Sequence, residues 1–119
     1  MSDWYRYKIM RDADVRRILR EQLDRSYKDD SNTMIIEELG LCRGTVRVDI
    51  AVVNGTFKGY EIKSARDTLT RLSAQATAYN RIFDTMTIVV AERHLRAAAA
   101  IIPEWWGIQV ATTHEASSS

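Results

Sequence analysis

The chain has 119 residues, of which 45% are hydrophobic and 28% are charged. This size and composition predict one compact α/β domain and exclude collagen-like, low-complexity and largely disordered proteins. Seventeen Lys and Arg residues against sixteen Asp and Glu give a net charge of +1, so the overall charge does not indicate a nucleic-acid-binding protein and any basic surface must be local.

The sequence predicts a cytoplasmic protein that has no contact with membranes. No apolar run approaches the length of a membrane span, and residues 1–10 lack the apolar segment of a secretory signal. Cys42 is the only cysteine, which excludes an intrachain disulfide and a cysteine-based metal site within one chain.

The predicted elements alternate between helices and strands, with the first three strands in succession. A single domain over 1–115 and a disordered tail over 116–119 are expected. The predicted elements are a helix at 12–27, strands at 34–41, 45–53 and 57–62, a helix at 68–83, a strand at 85–91, a helix at 92–102 and a strand at 106–113. This order predicts a mixed sheet with helices packed on it.

Charged residues stand on or directly after two predicted strands that should be half-buried. Asp49 stands within Val-Asp-Ile-Ala-Val-Val, and Glu61 and Lys63 stand two apart on the next strand and share a face. Carboxylate oxygens are the ligands that Mg²⁺ prefers, and a bound cation polarises a phosphoryl group and activates water. The pattern therefore predicts a Mg²⁺ or Mn²⁺ site, with Lys63 assisting the chemistry.

A structural alternative uses the same residues without any chemistry. Glu61 and Lys63 could form cross-strand ion pairs with Arg47 and Asp49 on a solvent-exposed face of the sheet. For an arbitrary Glu-x-Lys on a strand, this is the commoner arrangement.

Asp49 and Glu61-Ile62-Lys63, with the downstream segment Gln75-Ala76-Thr77-Ala78-Tyr79, resemble the motifs of the PD-(D/E)XK nuclease superfamily. Val48 departs from that pattern, because many members have proline there. The resemblance covers residues 12–91 and is similar to a group of small bacterial and phage proteins within the superfamily. It implies a restriction-endonuclease-like αβββαβ core with an added C-terminal helix and strand.

The resemblance also implies roles for individual residues. Asp49, Glu61 and the backbone carbonyl of Ile62 would hold the metal, and Lys63 would be catalytic. An acidic residue from the first helix often completes such a site, and Asp14 is the candidate here, with Glu37 or Glu38 as the alternative. Gln75 lies one helical turn before Tyr79 and could reach the site, although Tyr79 itself is expected in the core.

Four arginines are candidates for contacts with nucleic-acid phosphate: Arg16, Arg17, Arg66 and Arg71. The leading functional hypothesis is a nuclease that hydrolyses DNA, rather than RNA, through a Mg²⁺-activated water. The alternative is a non-catalytic nucleic-acid- or protein-binding regulatory module, for instance phage-encoded, on the same fold. A homodimer or a partner subunit is expected because so short a chain has no separate specificity domain.

A metal ion shared by Asp49 and Glu61 is possible only in one register of the hairpin between their strands. A two-residue turn at Asn54-Gly55 would place Asp49 and Glu61 on opposite faces of the sheet. A shared ion requires a loop of odd length or a bulge between Val53 and Tyr60. Asp49 and Glu61 should then face each other, with carboxylates about 4 to 5 Å apart.

Overall fold

The computed structural model describes residues 11–111 of the chain. Its helices are α1 (Asp12–Ser26), α2 (Leu72–Tyr79) and α3 (Leu95–Ile101), and its strands are β1 (Met34–Leu41), β2 (Val46–Val53), β3 (Phe57–Lys63), β4 (Thr85–Ala91) and β5 (Gly107–Ala111). Short 3₁₀ turns at Cys42–Gly44 and Glu92–His94 follow β1 and β4. None of the helices in this range is long and apolar enough to cross a bilayer.

The five strands form one mixed sheet in the order β1-β2-β3-β4-β5. The first three strands are antiparallel neighbours, whereas β4 is parallel to β3 and β5 is parallel to β4. The α/β class, the mixed sheet and the order of the elements are therefore as predicted from the sequence.

The helices cover the sheet from both sides. Helix α1 buries Val15, Leu19 and Leu23 against strand residues that include Ile50 and Ile62. Helices α2 and α3 pack on a second cluster, which includes Leu72, Tyr79, Ala98, Ile88 and Val90. Because β4 is covered on both faces, five of its seven residues are buried, which explains its continuous apolar run.

Strand β2 does not keep the simple alternation that its sequence predicts. Val48 packs in the α2 and α3 cluster, whereas Ile50, two residues later, packs in the α1 cluster. The side chains therefore change faces at Asp49. On the neighbouring strand, Glu38 has a φ of 56°, a left-handed conformation that is uncommon outside glycine, and it marks the same change of face in β1.

Two predicted helices are longer than those observed. Helix α2 begins at Leu72 instead of 68, because the Asp67 carboxylate accepts hydrogen bonds from the Ser64 N–H and hydroxyl and closes a separate turn there. It ends at Tyr79 instead of 83. The predicted helix at 92–102 is a 3₁₀ turn followed by α3.

The last predicted strand falls partly beyond the described range. Strand β5 begins at Gly107 and is described to Ala111; residues 112–113 and the expected tail at 116–119 lie outside the described residues.

Candidate functional site

The hairpin between β2 and β3 has the register that the metal-site hypothesis requires. Val53 pairs with Phe57 across a three-residue loop, and the ladder continues to Ile50 and Tyr60. Gly55 adopts a φ of 91° in this loop, which a residue with a side chain rarely adopts. The predicted odd-length loop is confirmed.

Three acidic residues lie side by side on the three antiparallel strands. The pairs on either side of Glu38 join Glu37 to Ile50 and Leu39 to Val48, so Glu38 lies opposite Asp49. The β2–β3 ladder ends at the pair of Ile50 and Tyr60, and Glu61 is the next residue opposite Asp49. We call Glu38, Asp49 and Glu61 the carboxylate row.

The Asp49 side chain accepts a hydrogen bond from β3 at a point where the backbone ladder between β2 and β3 has ended. Its Oδ2 accepts a hydrogen bond of 2.7 Å from the Ile62 N–H, and its Oδ1 accepts one of 2.7 Å from Arg16 Nη2. The N–H and C=O of a strand residue point to the same side of the strand. The Ile62 carbonyl therefore also faces β2, in the gap where the ladder has ended.

Glu61 is buried, with 4% of its side chain exposed. Its Oε1 lies 2.8 Å from the Tyr79 hydroxyl, and its Oε2 accepts a hydrogen bond of 3.3 Å from Gln75 Nε2. Lys63 Nζ lies 3.6 Å from the same Oε2, and the Lys63 side chain is only 8% exposed. The structure thus brings together the four predicted catalytic residues Asp49, Glu61, Lys63 and Gln75.

The Tyr79 hydroxyl has two acceptors within reach and one proton to give. It lies 2.9 Å from the Arg47 carbonyl oxygen as well as 2.8 Å from Glu61. Both contacts are hydrogen bonds when Tyr79 donates to the carbonyl and a protonated Glu61 donates to Tyr79. The geometry therefore favours a neutral Glu61 when no cation is bound.

The electrostatics agree with this proton position. Burial, followed by the charge of Asp49, raises the pKa of Glu61 from 4.5 to about 8. Burial also raises the pKa of Asp49, but the hydrogen bonds from Ile62 and Arg16 oppose that shift. Burial and the neighbouring Glu61 raise the pKa of Tyr79, which keeps its proton. Of the two carboxyl groups, Glu61 is therefore the one that holds a proton near neutral pH.

These side chains open into a cavity of about 590 Å³. Its lining includes five acidic residues, Asp12, Glu38, Asp49, Glu61 and Asp67, and three basic ones, Arg47, Lys63 and Arg71. Arg16 adds a fourth positive charge behind Asp49. With Glu61 protonated, four negative charges face four positive charges, and the resting site is close to neutral.

The solvent-exposed ion-pair alternative is wrong for Glu61 and Lys63. Both residues are buried, at 3% and 7% exposure, and Gln75 and Tyr79 of α2 contact Glu61. Buried charged side chains in this number are unusual in a domain of this size. The prediction that Tyr79 belongs to the core is confirmed, since it is 0% exposed.

The structure also decides between the candidate acidic residues from outside the hairpin. Asp14 does not reach the cavity; it lies at the start of α1, where its carboxylate accepts a 3.4 Å hydrogen bond from the Arg11 N–H. Asp12 and Glu38 line the cavity instead. Glu37 points elsewhere and pairs with Arg20 at 2.9 Å.

The four arginines predicted to contact nucleic acid divide into two groups. Arg71 lines the cavity and is exposed, and Arg16 contacts Asp49, which is one of the lining residues. Arg17 pairs with Glu21 on the outer surface of α1, and Arg66 is exposed but outside the cavity lining. Neither Arg17 nor Arg66 therefore belongs to the site.

Sequence reasoning missed Asp12 and Arg47 as residues of the site. Asp12 precedes Arg16 by four residues, so the two lie on one face of α1 and pair at 3.2 Å. That spacing distinguishes Asp12 from Asp14 and could have identified it. The position of Arg47, 3.8 Å from Glu38, follows from the β1–β2 register and has no local signal.

The carboxylates do not form a closed metal cage. Among residues 11–111, no three Asp, Glu, His or Cys side chains converge on one metal position. Asp49, Glu61 and the Ile62 carbonyl could offer two side chains and one backbone oxygen, which suits a cation such as Mg²⁺ that keeps several waters. Gln75 Oε1 is also buried without a hydrogen-bond partner and could accept from one of those waters.

The comparisons with known proteins identify the family. A family model described as bacteriophage P4 protein cII matches residues 8–119. Protein cII of Enterobacteria phage P4 is 34% identical over 88 residues, which cover 72% of this chain and 32% of the relative. This chain thus spans about a third of the length of the curated relative. No solved structure matches the chain.

These findings overturn the assignment to the PD-(D/E)XK superfamily. The resemblance rests on a few residues around Asp49, Glu61-Ile62-Lys63 and Gln75, whereas the family match extends over 8–119. Clusters of the same side chains can arise on unrelated folds, so their geometry does not establish ancestry. The chain belongs to the bacteriophage P4 protein cII family.

Proposed function

We propose that this chain is a phage-encoded regulatory module that binds nucleic acid, and that it contacts a backbone phosphate through a divalent cation. The observation that carries the proposal is the meeting of Asp49 and Glu61 with Lys63 and two arginines in one cavity. Membership of a family described by a bacteriophage protein supports the phage-encoded part of the proposal. DNA is the expected ligand, rather than RNA.

The two carboxyl groups supply the cation-binding half of the proposal. Asp49 and Glu61 lie opposite each other at the open end of the β2–β3 ladder, and the Ile62 carbonyl faces the same gap. A Mg²⁺ or Mn²⁺ ion held there would replace the proton on Glu61. Its remaining positions would hold water or a phosphate oxygen.

The basic residues supply the phosphate-binding half. Arg47 and Arg71 are exposed and line the cavity, and a guanidinium group can bind phosphate through two parallel hydrogen bonds. Since the resting site is close to neutral, these residues alone attract phosphate weakly. A divalent cation that replaces the proton of Glu61 raises the charge of the site by one unit and offers phosphate a direct ligand position, and binding should therefore depend on it.

The test is the binding of a fluorescently labelled DNA duplex, measured by anisotropy with and without Mg²⁺ or Ca²⁺. Wild type should bind more tightly when the cation is present. Asp49→Asn and Glu61→Gln should lose that dependence, and Arg71→Gln should weaken binding. A labelled RNA duplex tests the expected preference, and the mass of the complex in solution tests the expected homodimer.

Glu104→Gln is the matched control, because Glu104 is exposed and lies outside the cavity. It should behave as wild type does. DNA binding that is equally strong with and without the cation in every variant would contradict the proposal. So would a failure of wild type to bind either nucleic acid.

Hydrolysis of the bound phosphodiester is the second candidate function. The specific observation that favours it is the buried amine of Lys63, 3.6 Å from Glu61. Burying an ammonium group is costly, and in this position it could orient a cation-bound water or stabilise charge that develops on the phosphate.

Cleavage of plasmid and oligonucleotide DNA in Mg²⁺ or Mn²⁺ separates the two candidates. Hydrolysis predicts cleavage by wild type, loss of cleavage in Lys63→Met, and retained binding by that variant in Ca²⁺. Lys28→Met, a change of an exposed lysine outside the cavity, is the control. Cation-dependent binding without any cleavage would leave the non-catalytic module as the function.

A further inference from the structure

Arg16 lies among three carboxylates that come from three different elements. Its Nη2 contacts Asp49 Oδ1 at 2.7 Å and Asp12 Oδ2 at 3.2 Å. Its Nη1 contacts Glu38 Oε2 at 2.9 Å and the backbone carbonyl oxygen of Asp49 at 3.1 Å. All four contacts are made by the two terminal nitrogens of one guanidinium group.

The surroundings of Arg16 are built to hold a positive charge. Its side chain is only 20% exposed. Glu38 reaches it from a left-handed backbone conformation, which is strained for a residue with a side chain. Burial alone would lower the pKa of Arg16, but Asp49 and Asp12 outweigh that effect and raise it. The fold thus keeps Glu38 in a strained conformation and Arg16 largely shielded from solvent, so that the two charged groups meet.

Arg16 also occupies one of the two Asp49 oxygens that a metal ion could use. Asp49 Oδ2 is occupied by the Ile62 N–H and Oδ1 by Arg16, so each oxygen already accepts one strong hydrogen bond. A divalent ion at Asp49 would lie within a few ångströms of the guanidinium group, where like charges repel strongly.

We infer that the Arg16 guanidinium group neutralises Asp49 when no metal ion is bound, and that it competes with a divalent cation for this carboxylate. The inference rests on the proposed function, because both concern the same carboxylates. When the ion binds, the Arg16 guanidinium loses its contact with Asp49 Oδ1. The Nη2 hydrogen released by Asp49 can then be donated to an added anion such as a nucleic-acid phosphate. The free protein would therefore hold the ion weakly, and nucleic acid would strengthen its retention.

The experiment measures Mn²⁺ affinity in the absence of nucleic acid, by electron paramagnetic resonance of the free ion. Arg16→Gln removes the charge and keeps a polar side chain of moderate length. It should bind Mn²⁺ about tenfold more tightly than wild type, because a repelling charge next to the ion is gone. Arg17→Gln, one residue away on the outer surface of α1, should bind as wild type does.

A second measurement needs no variant and covers the case in which Arg16→Gln fails to fold. In wild type, titration with diamagnetic Mg²⁺ should shift the NMR signals of the Arg16 guanidinium and leave those of Arg17 in place. Equal or weaker Mn²⁺ binding by a folded Arg16→Gln would overturn the inference. Arg16 signals that do not move while Mg²⁺ binds would overturn it as well.

The outcomes also distinguish this inference from the proposed function. If wild type binds DNA in a cation-dependent way and Arg16→Gln gains no Mn²⁺ affinity, the proposed function stands and the competition is refuted. If Arg16→Gln binds Mn²⁺ more tightly while wild type binds no nucleic acid, the competition stands and the proposed function is refuted.

Discussion

Glu61 holds its proton because its carboxyl group is buried and lies beside the charge of Asp49 on β2. These two effects outweigh Tyr79 and Lys63, both of which act to lower the pKa of Glu61. The folded protein therefore binds this proton more tightly than the unfolded chain does. Any property that requires an ionised Glu61, such as cation binding, should strengthen as the pH rises towards 8.

The first prediction follows from this proton and concerns stability. The pKa of Glu61 is raised from 4.5 to about 8 on folding, so its protonated form stabilises the fold below pH 4.5, and that contribution is lost as the pH rises through 8. The loss should be on the order of a few kcal/mol, at about 1.4 kcal/mol per pKa unit. Urea denaturation of wild type and Glu61→Gln across this range measures it.

In Glu61→Gln, the difference in unfolding free energy from wild type should change steadily over that pH range. The unfolding free energy of Glu104→Gln, at an exposed position, should change with pH as that of wild type does. If the unfolding free energies of wild type and Glu61→Gln change with pH identically, Glu61 is already ionised in the folded protein and donates no hydrogen bond to Tyr79.

The second prediction concerns the Tyr79 hydroxyl. Tyr79→Phe keeps the ring in the core and leaves the Arg47 carbonyl and Glu61 without their common partner. The variant should lose about 1 to 3 kcal/mol of unfolding free energy, the cost of leaving a buried polar group unsatisfied. Tyr27→Phe is the comparison, because the Tyr27 hydroxyl accepts a hydrogen bond from the partly exposed Lys58. It should cost clearly less in the same urea titration, and equal costs would refute the role given to Tyr79.

At the scale of elements, close contact between β3 and its neighbours positions the site. Gly59 lies on β3 where a Cβ atom would collide with the Met86 sulfur and approach the Phe83 ring to 3.1 Å. This glycine lets β4 and the turn after α2 approach the strand that carries Glu61 and Lys63. The absence of a side chain is therefore a packing requirement here.

The third prediction tests that packing requirement. Gly59→Ala should destabilise the protein by about 1 to 3 kcal/mol, as overpacking of a filled core does. Gly40→Ala is the matched control on β1, because its nearest neighbour would be 3.9 Å away, and it should be close to neutral. Thermal or urea unfolding of the two variants measures the difference, and similar values would show that β3 can shift to make room.

The sequence predicted the elements best where local chemistry determines them. The hairpin register followed from Asn54-Gly55-Thr56 and from the requirement that Asp49 and Glu61 share a face. The start of α2 could not be predicted, because it depends on a side-chain turn from Asp67 to Ser64. The change of face at Asp49 was also missed, since it depends on the backbone of Glu38 in a neighbouring strand.

The same distinction explains the functional predictions. Asp49, Glu61 and Lys63 were found because charged residues stand out on strands that should be half-buried, and Gln75 was found through the motif resemblance. Asp14 was chosen because it lies at the start of the first helix with Arg16 and Arg17 close by, whereas the four-residue spacing to Arg16 favours Asp12. The family was misassigned because a short motif reports local geometry, whereas common ancestry is visible only over the length of the chain.

At the scale of the whole molecule, the charges are distributed unevenly although the net charge is only +1. The cavity concentrates five carboxyl groups and three basic side chains, and its balance depends on the proton of Glu61 and on Arg16. A divalent cation that replaces the proton changes the charge of this region. Because such an ion would bind the folded protein only, its binding should also raise the free energy of unfolding of the whole molecule.

The fourth prediction is that Mn²⁺ stabilises the whole molecule. An ion that binds only the folded state adds about 2.7 kcal/mol at a hundred times its Kd, which for a chain of this size raises the Tm by on the order of 10 °C. Asp49→Asn and Glu61→Gln should each remove most of that rise, because each removes a negative oxygen ligand, and Glu104→Gln should retain it. The stabilisation should also be larger at pH 8 than at pH 6, since the ion must displace the proton of Glu61, whose pKa is about 8. A rise in Tm that persists unchanged in both site variants would place the ion elsewhere on the protein and leave Asp49 and Glu61 with a purely structural role.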